Sequence, residues 1–159
     1  MNKLEQKEIE QAINAGACAK SLPWLKVKQG HTLDEIADEH PDWWLWAVGQ
    51  GVIINNDTTR PDFQARLERC VKAKPAVALA YCSKHLSKEK LAELTDMFPK
   101  VALKRCSDLL GKKQFNRLVG EHPGSALKYA QHRLSKKQIK DCSKKDPIVA
   151  NRHVHGNRH

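Results

Sequence analysis

The chain has 159 residues and a formal net charge of +10 at pH 7, with 28 Lys/Arg against 18 Asp/Glu. This length suffices for one compact domain or for a short array of stacked units, and it leaves little room for two independent domains. No apolar run is long enough to cross a bilayer, and the N-terminal residues lack the apolar block of an export signal, so we expect a soluble protein without membrane contact.

The charge is unevenly distributed along the chain. Residues 1–60 hold six Lys/Arg and nine Asp/Glu, a net charge of −3, whereas residues 61–159 hold 22 and nine, a net charge of +13. Such asymmetry indicates contact with an acidic partner, and nucleic acid comes first among the candidates. A lysine-rich surface that serves only solubility is the alternative.

The five cysteines are an odd number and include no C-x-x-C pair, which favours a reducing compartment over a disulfide scaffold. We therefore expect a cytoplasmic protein.

Residues 1–60 are acidic and rich in tryptophan, and we expect them to form an N-terminal cap with one degenerate helical unit. Thr32 and Glu35 match a capping box for a helix that ends at Pro41. Pro41 begins the next helix, because its missing N–H costs nothing in a first turn. The stretch "GVIINNDTTR" at 51–60 is then an insertion before a helix that starts near Pro61.

The stretch "EHPDWWLWAVGQG" at 39–51 carries three of the four tryptophans. Counted from Pro41, Trp44 and Leu45 fall on positions that are apolar in the later units, so we expect both in the core. Trp46 falls on a position that later carries lysine, which predicts a surface location. The alternative to an aromatic end cap is a contact site, since tryptophan is common among interface anchors. Its predicted partner-contact residues are Trp46, Asn55, Asn56 and Asp57.

The segment "GACAKSLPWL", followed by "DWWLW", resembles a G-A-C-x-x-x-L-x-W-L and D-W-x-L-W motif of uncharacterised proteins from bacteria and their phages. The resemblance covers roughly residues 15–48 and carries no established activity. It implies a mobile-element context, and a phage-encoded chain would act in the host cytoplasm.

Prolines at 75, 99, 123 and 147 follow one another at intervals of 24 residues. A fixed short period indicates a repeat array. Apolar residues recur four, seven and eleven positions after each proline, the spacing of one helix face, and a Ser or Gly then caps a second helix. We predict an all-α fold, a right-handed array of short helical hairpins over residues 61–147, with a partial unit and a polar tail at 148–159. The predicted inward residues of the first helices are Leu79, Cys82, Leu86, Leu103, Cys106, Leu110, Leu127, Ala130 and Leu134.

Histidines and cysteines give no metal or catalytic motif. The cysteines from Cys70 onward share the phase of core positions, where buried Cys acts as a small apolar residue, and a structural zinc site needs four ligands at close spacing. His40 and His122 precede prolines and are interpreted as helix-end residues. We expect no enzyme, no cofactor and no metal, and we interpret the His-rich end as a polar tail, with residues His153, His155 and His159.

Lysines follow each N-cap of the repeats. A lysine in the first turn of a helix faces the positive end of the helix dipole, which is unfavourable. Such lysines occur in three successive units, which suggests a function that compensates for the lost stability. Stacking would set these turns about 10 Å apart, in a row that follows a phosphate backbone. The alternative is that exposed turns in a lysine-rich chain carry lysine. The predicted anion-binding residues are Lys88, Lys112, Lys113, Lys136 and Lys137, with Lys104 and Lys128 from an exposed column of the first helices.

These patterns favour a non-enzymatic binding module that contacts nucleic acid without sequence specificity, since no recognition helix or stacking sheet is evident. The alternative is a phage-encoded interaction module that inhibits or docks an acidic host protein, because repeat arrays present extended surfaces. No small-molecule substrate is evident.

Overall fold

The computed structural model describes residues 33–51 and 61–155, together with Glu10, Asn14 and Gly16. Every regular element from residue 33 onward in these ranges is helical, which confirms the predicted all-α class. None of the described helices is long and apolar enough to span a membrane. The α-helices are α1 (Leu33–Glu39), α2 (Pro41–Gly49), α3 (Pro61–Ala73), α4 (Pro75–Cys82), α5 (Lys88–Met97), α6 (Pro99–Arg105), α7 (Lys112–Glu121), α8 (Pro123–Tyr129), α9 (Lys136–Lys145) and α10 (Pro147–Ala150).

Each proline of the 24-residue series begins a helix, and the residue before it ends the preceding one. Phe98 and His122 have φ of −130° with ψ of 62° and 61°, outside the helical region, because a proline ring disfavours helical backbone at the residue before it. The N–H of Phe98 donates to the Leu94 carbonyl at 2.8 Å, and its carbonyl accepts from the N–H of Ala102 at 3.0 Å. A single residue therefore closes one helix and opens the next.

Residue contacts divide the chain into two compact units, Met1–His85 and Leu86–His159. Unit 1 contains α1 to α4, and unit 2 contains α5 to α10. The three segments predicted from composition, 1–60, 61–147 and 148–159, follow charge and periodicity rather than contacts, and they stay a prediction.

An aromatic cluster forms the core of unit 1. Trp44 is 1% exposed, and its ring centroid lies 5.6 Å from that of Phe63. The guanidinium carbon of the buried Arg66 lies 5.8 Å from the centre of the Trp44 ring. Leu45 is fully buried, and its carbonyl accepts a hydrogen bond from the Cys82 thiol at 3.0 Å. The prediction that Trp44 and Leu45 are core residues is confirmed.

Two further contacts join the helices of unit 1. Gly49, at the end of α2, lies so close to the Tyr81 carbonyl of α4 that a β-carbon would clash with it. Asp38 of α1 forms an ion pair with Arg69 of α3 at 3.4 Å. The absence of a side chain at Gly49 therefore lets α2 and α4 approach closely.

Small and aliphatic residues at fixed spacing form the core of unit 2. Ala102 and Leu103 in α6 and Ala126 and Leu127 in α8 are 0% exposed. Helix α8 packs against α6, α7 and α9, and the Phe115 side chain of α7 is 2% exposed. The predicted burial at the fourth and seventh positions after Pro75, Pro99 and Pro123 is confirmed, at residues Leu79, Cys82, Leu103, Cys106, Leu127 and Ala130.

The predicted end of the first helix in each repeat is wrong. We expected it to reach the eleventh position, but α6 ends at Arg105 and a 3-10 turn follows at Ser107–Leu109. Ser and Asp in the sequence "CSDLL" favour turns over helix interiors, and the N–H of Leu110 bonds to the Ser107 carbonyl at 3.3 Å. Leu110 is extended, with φ −76° and ψ 138°, yet buried. At the eleventh position Leu110 and Leu134 are buried as predicted, whereas Leu86 is only half-buried, and the helix does not continue to this position.

Candidate nucleic-acid interface

The second helices of unit 2 begin at the predicted N-caps. The Ser87 hydroxyl accepts from the N–H of Lys90 at 3.1 Å. The Ser135 hydroxyl accepts from the N–H of Gln138 at 3.1 Å, and the Gln138 side chain accepts from the Ser135 N–H at 2.9 Å, which completes a capping box. Gly111 occupies the same position before α7 without a side-chain bond. These caps fix where the first helical residue lies.

The lysines predicted for anion binding follow these caps directly and are all exposed. Lys88, Lys112 and Lys136 are the first residues of α5, α7 and α9. Among the residues that the structure describes, ion pairs of unit 2 join Lys90 to Glu93 and Arg117 to Asp96, and His132 contacts Asp108 at 2.9 Å. The lysine charges at the helix starts are therefore not neutralised by those pairs. We call Lys88, Lys112, Lys113, Lys136 and Lys137 the lysine ridge.

Glutamine side chains hold the three helices of the ridge side by side. The Gln114 amide of α7 donates to the Ala92 carbonyl of α5 at 3.3 Å. One repeat later, the Gln138 amide of α9 donates to the Asn116 side chain of α7 at 3.0 Å. In both cases the third residue of one second helix contacts the fifth residue of the second helix one repeat earlier. The starts of α5, α7 and α9 therefore lie along one edge of unit 2.

The other two predicted lysines belong to a separate surface. Lys104 of α6 and Lys128 of α8 are exposed, with their Nζ atoms 5.5 Å and 5.0 Å from the centre of the Tyr129 ring. Together with Lys100 they line a groove of about 380 Å³ that crosses α8. We call this the Tyr129 groove. The sequence grouped these lysines with the ridge, but their helices carry them to the surface of α6 and α8 rather than to the starts of α5, α7 and α9.

The opposite wall of the Tyr129 groove is acidic. Asp146 caps α10 by accepting a hydrogen bond from the N–H of Val149 at 3.1 Å. Its carboxylate lies against Gly124, where a β-carbon would clash with it. Because its capping bond holds this side chain, the groove has ammonium groups on the α6 side and a carboxylate on the α10 side.

The lysines also affect the phenol of Tyr129. Hydrogen bonding with Lys128 is the main cause that lowers the pKa of Tyr129 below its ordinary value, while desolvation opposes it and the charges of Lys128 and Lys104 add to the lowering. Both lysines thus act on the same ring, and the groove is positive where Tyr129 lies.

Comparisons of the chain with protein-family models, with curated proteins and with solved structures give no match. Functional inference therefore depends on charge and geometry. Unit 2 contains 17 Lys/Arg and seven Asp/Glu, a net charge of +10, and unit 1 contains 11 of each, a net charge of zero. The whole net charge of the protein lies in the unit that carries both basic surfaces.

The predicted partner-contact residues of unit 1 are only partly described. Trp46 is half-buried, less deeply than Trp44, and Trp43 is half-buried beside His40, with ring centroids 5.5 Å apart. Asn55, Asn56 and Asp57 lie outside the described residues, as do Thr32 and the segment "GACAKSLPWL". Their predicted roles stay predictions.

The described cysteines are buried and poorly suited to nucleophilic chemistry. Desolvation is the main cause that raises the pKa of Cys82 to about 12, and burial raises that of Cys106 to about 11 and that of Cys142 above its usual value. These thiols stay protonated at neutral pH.

Within the described residues, no group of three or more His, Cys, Asp or Glu side chains is placed to hold a metal ion. His153 is half-buried, and His155 and His159 are not described at the side-chain level.

Sequence reasoning missed two residues of unit 2. Tyr129 directly follows Lys128, and Lys104 lies one repeat before Lys128. The sequence therefore contained a signal that this phenol would lie near two lysines. Arg133 donates to the buried Ser107 carbonyl and lies with its guanidinium carbon 4.2 Å from the centre of the Phe115 ring. No local pattern distinguishes Arg133 from the other surface cations, because both of its partners come from the preceding repeat.

Proposed function

We propose that the protein is a non-enzymatic α-helical repeat module whose unit 2 binds nucleic acid through phosphate contacts, without sequence specificity and without a cofactor. The observation that supports it best is the lysine ridge, a set of exposed ammonium groups at three neighbouring helix starts. The 24-residue period gives the repeats small or apolar residues at the same inward positions and at least one lysine after each N-cap. We further propose that the hairpins form a right-handed array, with an aromatic cap formed by residues 1–60.

Physical chemistry favours a phosphate backbone as the ligand of the ridge. Helix starts present N–H groups and the positive end of a dipole to an anion. Helices packed at ordinary distances place successive starts about 10 Å apart, or about three steps of a duplex at 3.4 Å each. Lysine acts as a point charge rather than a reader of base edges, so the contacts give affinity and register but little sequence preference.

The salt dependence of duplex binding tests the proposal. Each phosphate that a lysine neutralises contributes about 0.9 to the slope of log K against log salt concentration. We expect Lys136→Gln with Lys137→Gln, at the start of α9, to flatten the slope by about 1.8. Fluorescence anisotropy with a mixed-sequence 20-base-pair duplex, over a series of salt concentrations, measures it.

The same helix supplies a matched control. Lys144 and Lys145 are exposed residues in the last turn of α9, so Lys144→Gln with Lys145→Gln removes the same charge from the opposite end of one helix. We expect this pair to change the slope by less than half as much. If both pairs change it equally, the binding is diffuse electrostatics and the ridge has no special role.

Docking of an acidic host protein, by a phage-encoded chain, is the alternative function. The half-buried Trp46 is the described residue that favours it. If neither duplex nor single-stranded nucleic acid binds at moderate salt, the nucleic-acid proposal is overturned. A stoichiometric acidic partner that survives nuclease treatment and loses affinity with Trp46→Ala would then support the alternative.

A further inference from the structure

The Tyr129 groove is a second basic surface of unit 2, and the lysine ridge does not account for it. It has a volume of about 380 Å³ and is shallow and open to solvent. The groove combines an aromatic ring with ammonium groups from two helices, whereas the ridge was defined by five lysines and contains no aromatic residue. A ring adds an interaction that a phosphate contact lacks, because the face of a base stacks on it.

The charges in the groove restrict the ligand. Lys104 and Lys128 lie near the Tyr129 ring, and Lys100 lines the same α6 wall, so this side attracts an anion. Asp146 on the α10 wall would repel a second phosphate and would accept a hydrogen bond from an amino or hydroxyl group. The groove therefore suits a ligand with a single phosphate and a neutral part that donates hydrogen bonds. A nucleoside monophosphate has this chemistry, and a polyphosphate does not.

We propose that the Tyr129 groove holds one unpaired nucleotide, with its phosphate at Lys104 and Lys128 and its base against the Tyr129 ring. The inference depends on the proposed function in one respect, since the nucleotide belongs to a nucleic acid that unit 2 binds. A base inside a duplex is stacked on its neighbours and paired with the opposite strand, so it cannot reach the ring. The groove thus gives the protein a preference for single strands that the ridge alone does not provide.

The two tyrosines of the chain make the groove accessible to NMR. Tyr129 lies in unit 2 and Tyr81 in unit 1, so protein with ¹³C-labelled tyrosine gives two ring signals, which Tyr129→Phe assigns. With adenosine monophosphate we expect upfield ring-current shifts at Tyr129 and none at Tyr81. Inorganic phosphate and pyrophosphate at equal ionic strength should not produce them. If phosphate produces the same shifts, or if Tyr129 does not respond, the nucleotide assignment is overturned.

Substitution of the ring tests the preference for single strands. We expect Tyr129→Leu to weaken binding of a mixed 12-nucleotide single strand by about fivefold to tenfold, the effect of one stacked base, and to change binding of a 12-base-pair duplex by less than twofold. Tyr129→Phe keeps the ring and should bind the single strand almost as the unaltered protein does. Equal losses for strand and duplex, or no loss for either, would overturn the proposal.

The two proposals fail in different ways. If the groove proposal is wrong and the ridge proposal is right, Lys136→Gln with Lys137→Gln flattens the salt slope, while Tyr129→Leu does not change single-strand binding. If the ridge is wrong and the groove right, the lysine pair has no special effect, and adenosine monophosphate still shifts Tyr129. Should Tyr129→Leu fail to fold, as measured by circular dichroism, the NMR shifts in the unaltered protein and the binding of Tyr129→Phe decide the question.

Discussion

Unit 1 and unit 2 are both helical, but they differ in charge. Unit 1 has equal numbers of acidic and basic residues, and unit 2 carries the entire net charge of +10. Exposed pairs such as Asp38 with Arg69 balance charge on unit 1, whereas the ridge lysines of unit 2 face no acidic partner among the described residues. Because surface charge contributes to partner attraction rather than to fold, this difference is the reason that we propose unit 2 as the binding part of the chain.

The cores of the two units differ as well. The Trp44 and Phe63 rings are the large buried groups of unit 1, which also carries a buried Ala-Leu pair in α4, whereas unit 2 repeats this pair in α6 and α8 without a tryptophan. The aromatic cluster of unit 1 requires side chains of complementary shape around a single position in the core. A repeated small-residue pair lets similar helices pack at the same separation. The regular spacing that we propose for the ridge lysines would follow from this second kind of core.

The prediction with the largest expected effect tests whether each unit is stabilised by its own core. Leu103→Asp places an unpaired carboxylate at a fully buried position of unit 2, at a cost on the order of 5 kcal/mol or more, comparable with the stability of a small domain. All four tryptophans lie within residues 24–46, so tryptophan emission reports on unit 1 alone. We expect circular dichroism to lose much of the helical signal while the emission stays blue-shifted.

Lys104→Asp is the control for this experiment, since it introduces the same carboxylate one residue later at an exposed position. Its melting temperature should fall by much less than that of Leu103→Asp. Equal effects of the two substitutions would mean that the 24-residue register is wrong. A red-shifted emission with Leu103→Asp would mean that the two units unfold together.

The second prediction concerns the aromatic core of unit 1. Trp44→Ala should lower the free energy of unfolding by about 3–5 kcal/mol, because it removes a side chain that is 1% exposed and packed on Phe63. Trp46→Ala should cost less than about half of that, since Trp46 is only half-buried. Urea unfolding followed by circular dichroism measures both. Similar costs would contradict the assignment of Trp44 as the principal core residue.

The smallest expected effects compare equivalent helix starts within unit 2. Ser135→Ala removes the hydroxyl that accepts from the Gln138 N–H, although the backbone N–H of residue 135 can still donate to the Gln138 side chain, and should lower stability by about 1 kcal/mol. Gly111→Ser supplies the missing cap at the start of α7, where a β-carbon meets open space, and should raise stability by a few tenths, or about 0.3 kcal/mol. Thermal melts measure both changes. Gly111→Ala is the control, because it adds a β-carbon without an acceptor and should bring no gain.

Local chemistry in the sequence was enough to predict where helices begin and which columns are buried. A proline that excludes helical backbone before itself, a serine that caps a helix, and apolar residues at positions four and seven act over one or two turns. Pro99, Ser135 and Leu103 therefore have the predicted places. Trp44 could be assigned to the core by the same counting.

Tertiary packing decided the features that join residues about one repeat apart. The Ser107 carbonyl in the turn that follows α6 accepts a hydrogen bond from Arg133 of the next repeat. Lys104 lies near Tyr129 only because α6 and α8 pack side by side, which turns two surface positions into one wall of a groove. Periodicity specifies which face of a helix is buried, but the contacts between exposed side chains depend on how far apart two helices lie and how each is rotated, and these follow from packing of the whole unit.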